Sequence, residues 1–144
     1  MRTLFIATLM TFVLGGVAIS ATAPNSGEPV PVSDDTRFCL TCHSWITSGI
    51  VADWGKSIMA HITPAEALKK AKIERRVSAE RIPENMSGVA IGCAECHTLN
   101  PEKHKDTFDH KGYQVHVVVT PEDCATCHPT EVGQYAQNIM SHAH

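Results

Sequence analysis

Every cysteine in this chain belongs to one pattern, repeated three times. The copies are Cys39-Leu40-Thr41-Cys42-His43, Cys93-Ala94-Glu95-Cys96-His97 and Cys124-Ala125-Thr126-Cys127-His128, and together they use all 6 cysteines. On a helical turn, residues i, i+3 and i+4 share one face. Two thiols can then bond the edge of a porphyrin while the histidine beneath it reaches the iron. The spacing is that of c-type haem attachment, and it predicts three covalently attached c-type haems. Cys39, Cys42, Cys93, Cys96, Cys124 and Cys127 would hold the haems, and His43, His97 and His128 would be the proximal iron ligands. Zinc half-sites and disulfides are the competing readings. Zinc sites pair two half-sites, and three leave one over. Disulfides give no reason for a histidine after every second cysteine.

The N-terminus reads as an export signal. Arg2 supplies a positive charge, and the apolar run from Leu4 to Ile19 is short for a membrane span. Small residues follow, with cleavage expected before Ala21. Residues 1–20 are thus expected to be a signal peptide, with an uncleaved N-terminal anchor as the alternative. The expected compartment is periplasmic or extracellular. Residues 21–36, rich in Pro, Ser, Gly and Asp, read as a flexible lead-in. Residues 37–144 form the expected trihaem domain.

What remains after the signal gives roughly 40 residues per haem, in a chain the size of one domain. So little polypeptide cannot enclose each haem in a conventional core. The expected fold is mainly α with little regular sheet, compact, with haems forming much of the core. The formal net charge is −3. Nothing in the composition points to nucleic-acid binding.

Residues 45–61 have apolar residues at near-helical spacing. Thr63-Pro64-Ala65-Glu66 reads as a helix start, with the helix expected to run to about Ala79 and to carry Lys69, Lys70, Lys72, Arg75 and Arg76. Such a helix is either a solvated face or a docking patch on an otherwise acidic protein. Pro83 to Gly88 reads as a loop, and Val115 to Val119 as the one extended segment. Thr120-Pro121-Glu122-Asp123 is a second helix start that should carry the third motif in its first turns. Pro129 is expected to interrupt, with Thr130 capping a last helix.

Val51, Trp54, Ile58, Met59 and His61 match Val132, Tyr135, Ile139, Met140 and His142 at a constant offset of 81. Each segment follows a Cys-x-x-Cys-His motif, which suggests an internal repeat. Of the 9 histidines, six lie outside the motifs: His61, His104, His110, His116, His142 and His144. The repeat nominates His61 and His142 as distal iron ligands. Two imidazoles per iron leave no open position, which suits electron transfer over substrate chemistry. Met59 and Met140 are the competing ligands, or else gap-fillers against a porphyrin face.

The motifs with their flanks resemble the N-terminal part of the octahaem hydroxylamine-oxidoreductase-like cytochromes. The resemblance covers about 37–142. It rests on Cys39–His43 followed by Trp54-Gly55-Lys56-Ser57, on Gly92–His97, on Asp109-His110 and on Thr120–His128. It implies that His110 is an axial ligand. Among the remaining histidines, His116 is the first reserve. The family's histidine after Trp-x-x-Ser-x falls on Met59 here, and His61 is displaced by two. The chain contains no sequence for the family's catalytic haem, so it is expected to be no enzyme on its own. Three functions follow: an electron carrier serving redox partner proteins, an electron-transfer module or fragment of a larger multihaem complex, or a homo-oligomeric subunit of a haem filament.

Overall fold

The computed structural model describes residues 29–142. The expected signal peptide and most of the lead-in lie outside the described residues. The described residues form seven short α-helices and one two-stranded sheet: α1 (Asp34–Ile46), α2 (Ser48–Lys56), α3 (Pro64–Lys69), α4 (Glu84–Ser87), α5 (Cys93–His97), β1 (Phe108–His110), β2 (Tyr113–Val115), α6 (Pro121–Cys124) and α7 (Pro129–Ala136). Single 3₁₀ turns stand at Ile58–Ala60, Pro101–Lys103 and Ile139–His142. The strands pair antiparallel, Phe108 opposite Val115 and His110 opposite Tyr113. Gly112 turns the hairpin at φ 89°, a conformation that side chains with a Cβ resist. The fold is mainly α, as expected. Among the described residues, no helix is long and apolar enough to cross a membrane.

Ser33 starts α1. Its hydroxyl accepts the Thr36 N–H at 3.1 Å, and Asp34 and Asp35 occupy the first turn, where carboxylates favour the helix dipole. Helix therefore begins two residues before the expected end of the lead-in. Residues just before it lie extended: the Ala90 N–H donates to Pro31 O at 2.8 Å, and Val32 bridges Ala90.

Thr63 caps α3 as expected, its hydroxyl accepting the Glu66 N–H at 3.2 Å. The helix then stops at Lys69, well short of Ala79. Lys69, Lys70 and Lys72 crowd like charges together, and no buried face holds the segment in a helix. Pro83 to Gly88, read as a loop, contains the single turn α4. The extended segment is also displaced. The sheet takes Tyr113–Val115 and ends there, because Asp106 accepts the N–H groups of Val117 and Val118 at 2.8 and 2.9 Å. Pro129 begins α7 where an interruption was expected. Its missing N–H costs nothing at a first helical position.

The repeat has a structural counterpart. Offset by 81, α2 and the Ile58–Ala60 turn fall on α7 and the Ile139–His142 turn. The residues that start the two helices also agree: Thr47 at φ −127°, ψ 49° and His128 at φ −124°, ψ 49°. The motif histidines His43 and His128 are 85 apart, so the first unit is four residues longer, and Thr47 takes the helix-starting place that His128 holds in the second.

The polypeptide buries few large side chains. The hydrophobic residues it does enclose are small apart from Met86: Ala67, Ala79, Ala90, Ala94 and Cys127. Trp45, Ile46, Ile50, Ile58, Tyr135, Ile139 and Met140 all stand exposed. A chain that is 43% hydrophobic ordinarily gathers such residues into a core.

Candidate functional site

The first motif lies within α1, which puts Cys39, Cys42 and His43 on one face. The second motif is the whole of α5. This helix begins at Gly92, which has no side chain to cap it, and Thr36 of α1 does the capping. Thr36 is fully buried. Its hydroxyl accepts the Ala94 N–H at 3.0 Å and donates to Glu95 Oε2 at 2.7 Å. Glu95 also accepts the Gly92 N–H at 2.9 Å. A Cβ on Gly92 would lie 2.5 Å from Thr36 Cγ2, so the missing side chain is what admits the threonine. The third motif departs from expectation. It runs from Cys124, the last residue of α6, through a turn to His128, the residue just before α7. A helical bond still closes it, with the His128 N–H donating to Cys124 O at 2.8 Å.

The second motif neighbours both of the others, Cys93 beside Cys39 of the first and Cys96 beside Cys124 and Cys127 of the third. Burial pushes the Cys39 thiol up, and the neighbouring Cys93 adds to the effect. Cys96 is pushed up to about 11, first by burial and then by Cys124, Glu95 and Cys127 nearby. Cys93 and Cys127 are likewise raised by burial. No disulfide joins the cysteines. Among the described residues, the group of three or more potential ligands within reach of one ion contains no cysteine. The thiols are thus not gathered for zinc.

Each motif histidine has a group near its Nδ1. For His97 it is the His116 carbonyl oxygen at 2.9 Å. A carbonyl only accepts, so Nδ1 carries the proton and Nε2 keeps its lone pair for a metal. For His43 it is Thr47 Oγ1 at 3.0 Å. That hydroxyl donates to His43 O at 3.3 Å, which leaves it to accept from Nδ1. For His128 it is Glu131 Oε2 at a longer 3.9 Å.

The other nominated histidines divide into two groups. His110, exposed on β1, has its ring centroid 6.2 Å from that of His43. Two imidazoles bound end-on to one metal, at about 2 Å each, hold their centroids roughly 6 Å apart. His116 lies 6.1 Å from His97, is fully buried, and finds no hydrogen-bond partner for either ring nitrogen. Such an orphaned polar ring is costly unless something else binds it. His61 and His142 are exposed and, among the described residues, stack on no motif histidine. His142 Nε2 lies 3.0 Å from Ala136 O. The turn that carries His61 is tied to the second motif: Ile91 accepts from Trp54 Nε1 at 2.9 Å and donates to Met59 O at 3.2 Å.

His104, one of the six histidines outside the motifs, and Asp123, read only as part of a helix start, have a role the sequence does not assign. His104 stacks on His116, centroids 3.5 Å apart and rings 5° from parallel. Its Nε2 lies 3.1 Å from Asp123 Oδ1. Asp123 also accepts from the Thr120 N–H at 2.8 Å and the Thr120 hydroxyl at 3.0 Å. Burial opposes its charge, but hydrogen bonds from Thr120, His104 and Asn100 outweigh that and bring the carboxyl down to about 2. His116 is lowered by burial and by its neighbour His104. The capping position of Asp123, three residues after Thr120, was the available signal.

An open surface hollow of about 420 Å³ adjoins the third motif. Cys124, His128, Val119, Pro121, Val132 and Tyr135 line it. The residues present fit a haem: paired thiols beside a metal-ready imidazole, an orphaned buried histidine, and large apolar side chains left uncovered by the polypeptide.

No protein-family model matches the chain, and no curated protein matches it. A solved structure described as a hypothetical multiheme protein does match. It is 57% identical over 75% of this chain, with a TM-score of 0.72. The chain is similar in sequence and fold to part of a multihaem protein. The match takes in 21% of that longer chain, so the present chain spans about a fifth of its length.

Proposed function

We propose that this chain is an exported trihaem c-type cytochrome that carries electrons. The observation that carries the reading is the common preparation of the three motifs. Each places two thiols and an imidazole close together on one tight stretch of chain, and hydrogen bonds at Nδ1 of His43 and His97 leave their Nε2 free for a metal. Cys39 and Cys42, Cys93 and Cys96, and Cys124 and Cys127 would hold the haems, with His43, His97 and His128 beneath. Haem supplies a one-electron iron couple. The chain's own part is to bind, orient and partly bury it. Thr36, Gly92 and Glu95 fix the middle turn against α1. Asp123 fixes the third turn through Thr120 and His104. The neighbouring thiols, Cys39 beside Cys93 and Cys96 beside Cys124, support a short chain of neighbouring cofactors rather than isolated sites.

His110 is the distal partner we assign to His43, on their 6.2 Å separation. His116 moves up from reserve, on its orphaned ring. His61 and His142 stay candidates on the strength of the repeat, with a rotation of His142 needed to free its Nε2. A low-temperature spin-resonance spectrum of the holoprotein tests this ligation. Three low-spin irons are expected, and a high-spin iron at full loading would overturn it.

A second reading follows from length. Because the chain corresponds to a fifth of a longer multihaem neighbour, it also fits an electron-transfer module of a larger assembly, as the resemblance to hydroxylamine-oxidoreductase-like cytochromes implies. Hydroxylamine turnover by the isolated chain is not expected on either reading.

A further inference from the structure

The stretch from Lys69, the last residue of α3, to the start of α4 concentrates positive charge. Lys69, Lys70, Lys72, Arg75, Arg76 and Arg81 stand there with two acids, Glu74 and Glu80, for a net +4. The remaining described residues carry five lysines and arginines against twelve acids, a net −7. Half of the chain's 12 basic residues therefore sit on one loop of an acidic protein. Arg75 is half-buried, and the other five are exposed. Among the described residues none of the six pairs with a carboxylate, since the Lys and Arg ion pairs are Arg37–Asp34 and Lys56–Asp53. At the middle of the loop Ile73 is 95% exposed. An apolar tip among unpaired cations is the usual make-up of a docking surface, where charge steers the encounter and apolar contact holds it.

This loop is fastened to the third motif. The N–H groups of Ser78 and Ala79 both donate to Cys127 O, at 3.2 and 3.1 Å. The Ser78 hydroxyl donates to Glu131 and accepts the Thr130 N–H at 3.1 Å. The fastening thus joins the cationic loop to both sides of His128.

We propose that loop 69–81 docks a carboxylate-rich redox protein and thereby makes the third motif the point of electron exchange. The proposal rests on the haem reading above. The occupant follows from charge: an exposed, unpaired +4 surface selects an anionic face, and the rest of this chain repels one.

The test compares wild type with Lys69→Glu/Lys70→Glu/Lys72→Glu/Arg76→Glu, and with the milder set of Gln substitutions at the same positions. All leave Ser78 and Ala79 in place. Haem content is measured first by mass. A wild type without haem sinks the haem reading itself, whereas failure of the docking proposal needs three haems in place. Two probes then report on the loop. One is a labelled oligo-glutamate peptide, followed by fluorescence anisotropy. The other is electron exchange with ferricyanide and with hexaammineruthenium, anionic and cationic reagents of small size. Wild type should bind the peptide at low salt, and the Glu variant should lose it. The Glu variant should react about tenfold more slowly with ferricyanide at low ionic strength and faster with hexaammineruthenium. Both differences should shrink as salt rises. The Gln variant should fall between. Rates and peptide binding that ignore all the substitutions would overturn the proposal. So would self-association of wild type, seen by sedimentation and abolished in the variants, because the occupant would then be a second copy of this chain.

Discussion

Replacing Thr36 by Val removes one hydroxyl and keeps the shape. Two interactions go with it: the acceptor for the buried Ala94 N–H at 3.0 Å and the donor to the Glu95 carboxylate at 2.7 Å. A buried N–H left without a partner costs about 1–3 kcal/mol, and a hydrogen bond to a charged group contributes about 1.5–3 kcal/mol. The two share one hydroxyl and are not additive, so the expected loss is about 2–4 kcal/mol. For a domain of this size that is a fall in Tm of roughly 8–16 °C. Gly92→Ala attacks the same joint from the other side. Its Cβ would lie 2.5 Å from Thr36 Cγ2 and 2.8 Å from Oγ1, an overpacking that costs about 1–3 kcal/mol. In a Thr36→Ala background those two atoms are gone, and the nearest remaining distance among the three is 3.2 Å to Thr36 Cβ. Gly92→Ala should then cost under about 1 kcal/mol, so the double-mutant cycle should show coupling of about 1 kcal/mol or more. Denaturant unfolding of haem-loaded protein, with unchanged m-values, is the assay. Strictly additive changes, or a Thr36→Val protein within about 0.5 kcal/mol of wild type, would refute the claim that Thr36 caps the second motif.

Asp123 makes stability depend on acid. Its folded value of about 2 lies below the ordinary 3.8. Its contribution is therefore complete above the ordinary value and is lost as pH falls toward the folded one. The stability gap between wild type and Asp123→Asn should be flat near neutrality and close between about pH 4 and pH 2. A gap already closed at pH 5 in unfolding titrations would contradict this. His110→Met should move one haem to higher potential as a thioether replaces an imidazole, as read by spectroelectrochemistry. Three unchanged potentials would remove His110 from the ligand set. Ser78→Ala frees the basic loop from Glu131 and Thr130. Limited trypsin digestion should then cut among Lys69–Arg81 several-fold faster, and an unchanged cutting rate would show that Ser78 is not a fastening.

The local signals in the sequence were read well where one residue type decides the backbone. Thr63 with Pro64 placed the start of α3, and the Cys-x-x-Cys-His spacing placed two helical turns, in α1 and α5. The offset of 81 was legible in five side chains and returned as matching helices, turns and starting dihedrals. What depended on distant partners was not legible. The end of α3 was misread because a helical pattern of lysines has no buried face to sustain it. The extended segment was misplaced because Asp106, eleven residues before Val117, takes up the N–H groups a strand would have used. Pro129 was read as a breaker, although at a first helical position it is a starter. The joints made by Thr36 and by His104 with Asp123 were not legible, because each joins residues 19 or more positions apart, at 2.7 to 3.1 Å. The distal ligands followed the same division. The repeat favoured His61 and His142, whereas proximity brings His110 to the first motif and His116 to the second.

The central claim is that all three motifs carry haem. Intact-mass spectrometry of the mature chain, produced with the machinery for covalent haem attachment, tests it most directly. The account predicts a mass equal to the polypeptide plus three haems, with no free thiol left to alkylate. A chain at bare polypeptide mass, with six alkylatable thiols or with bound zinc, would contradict it.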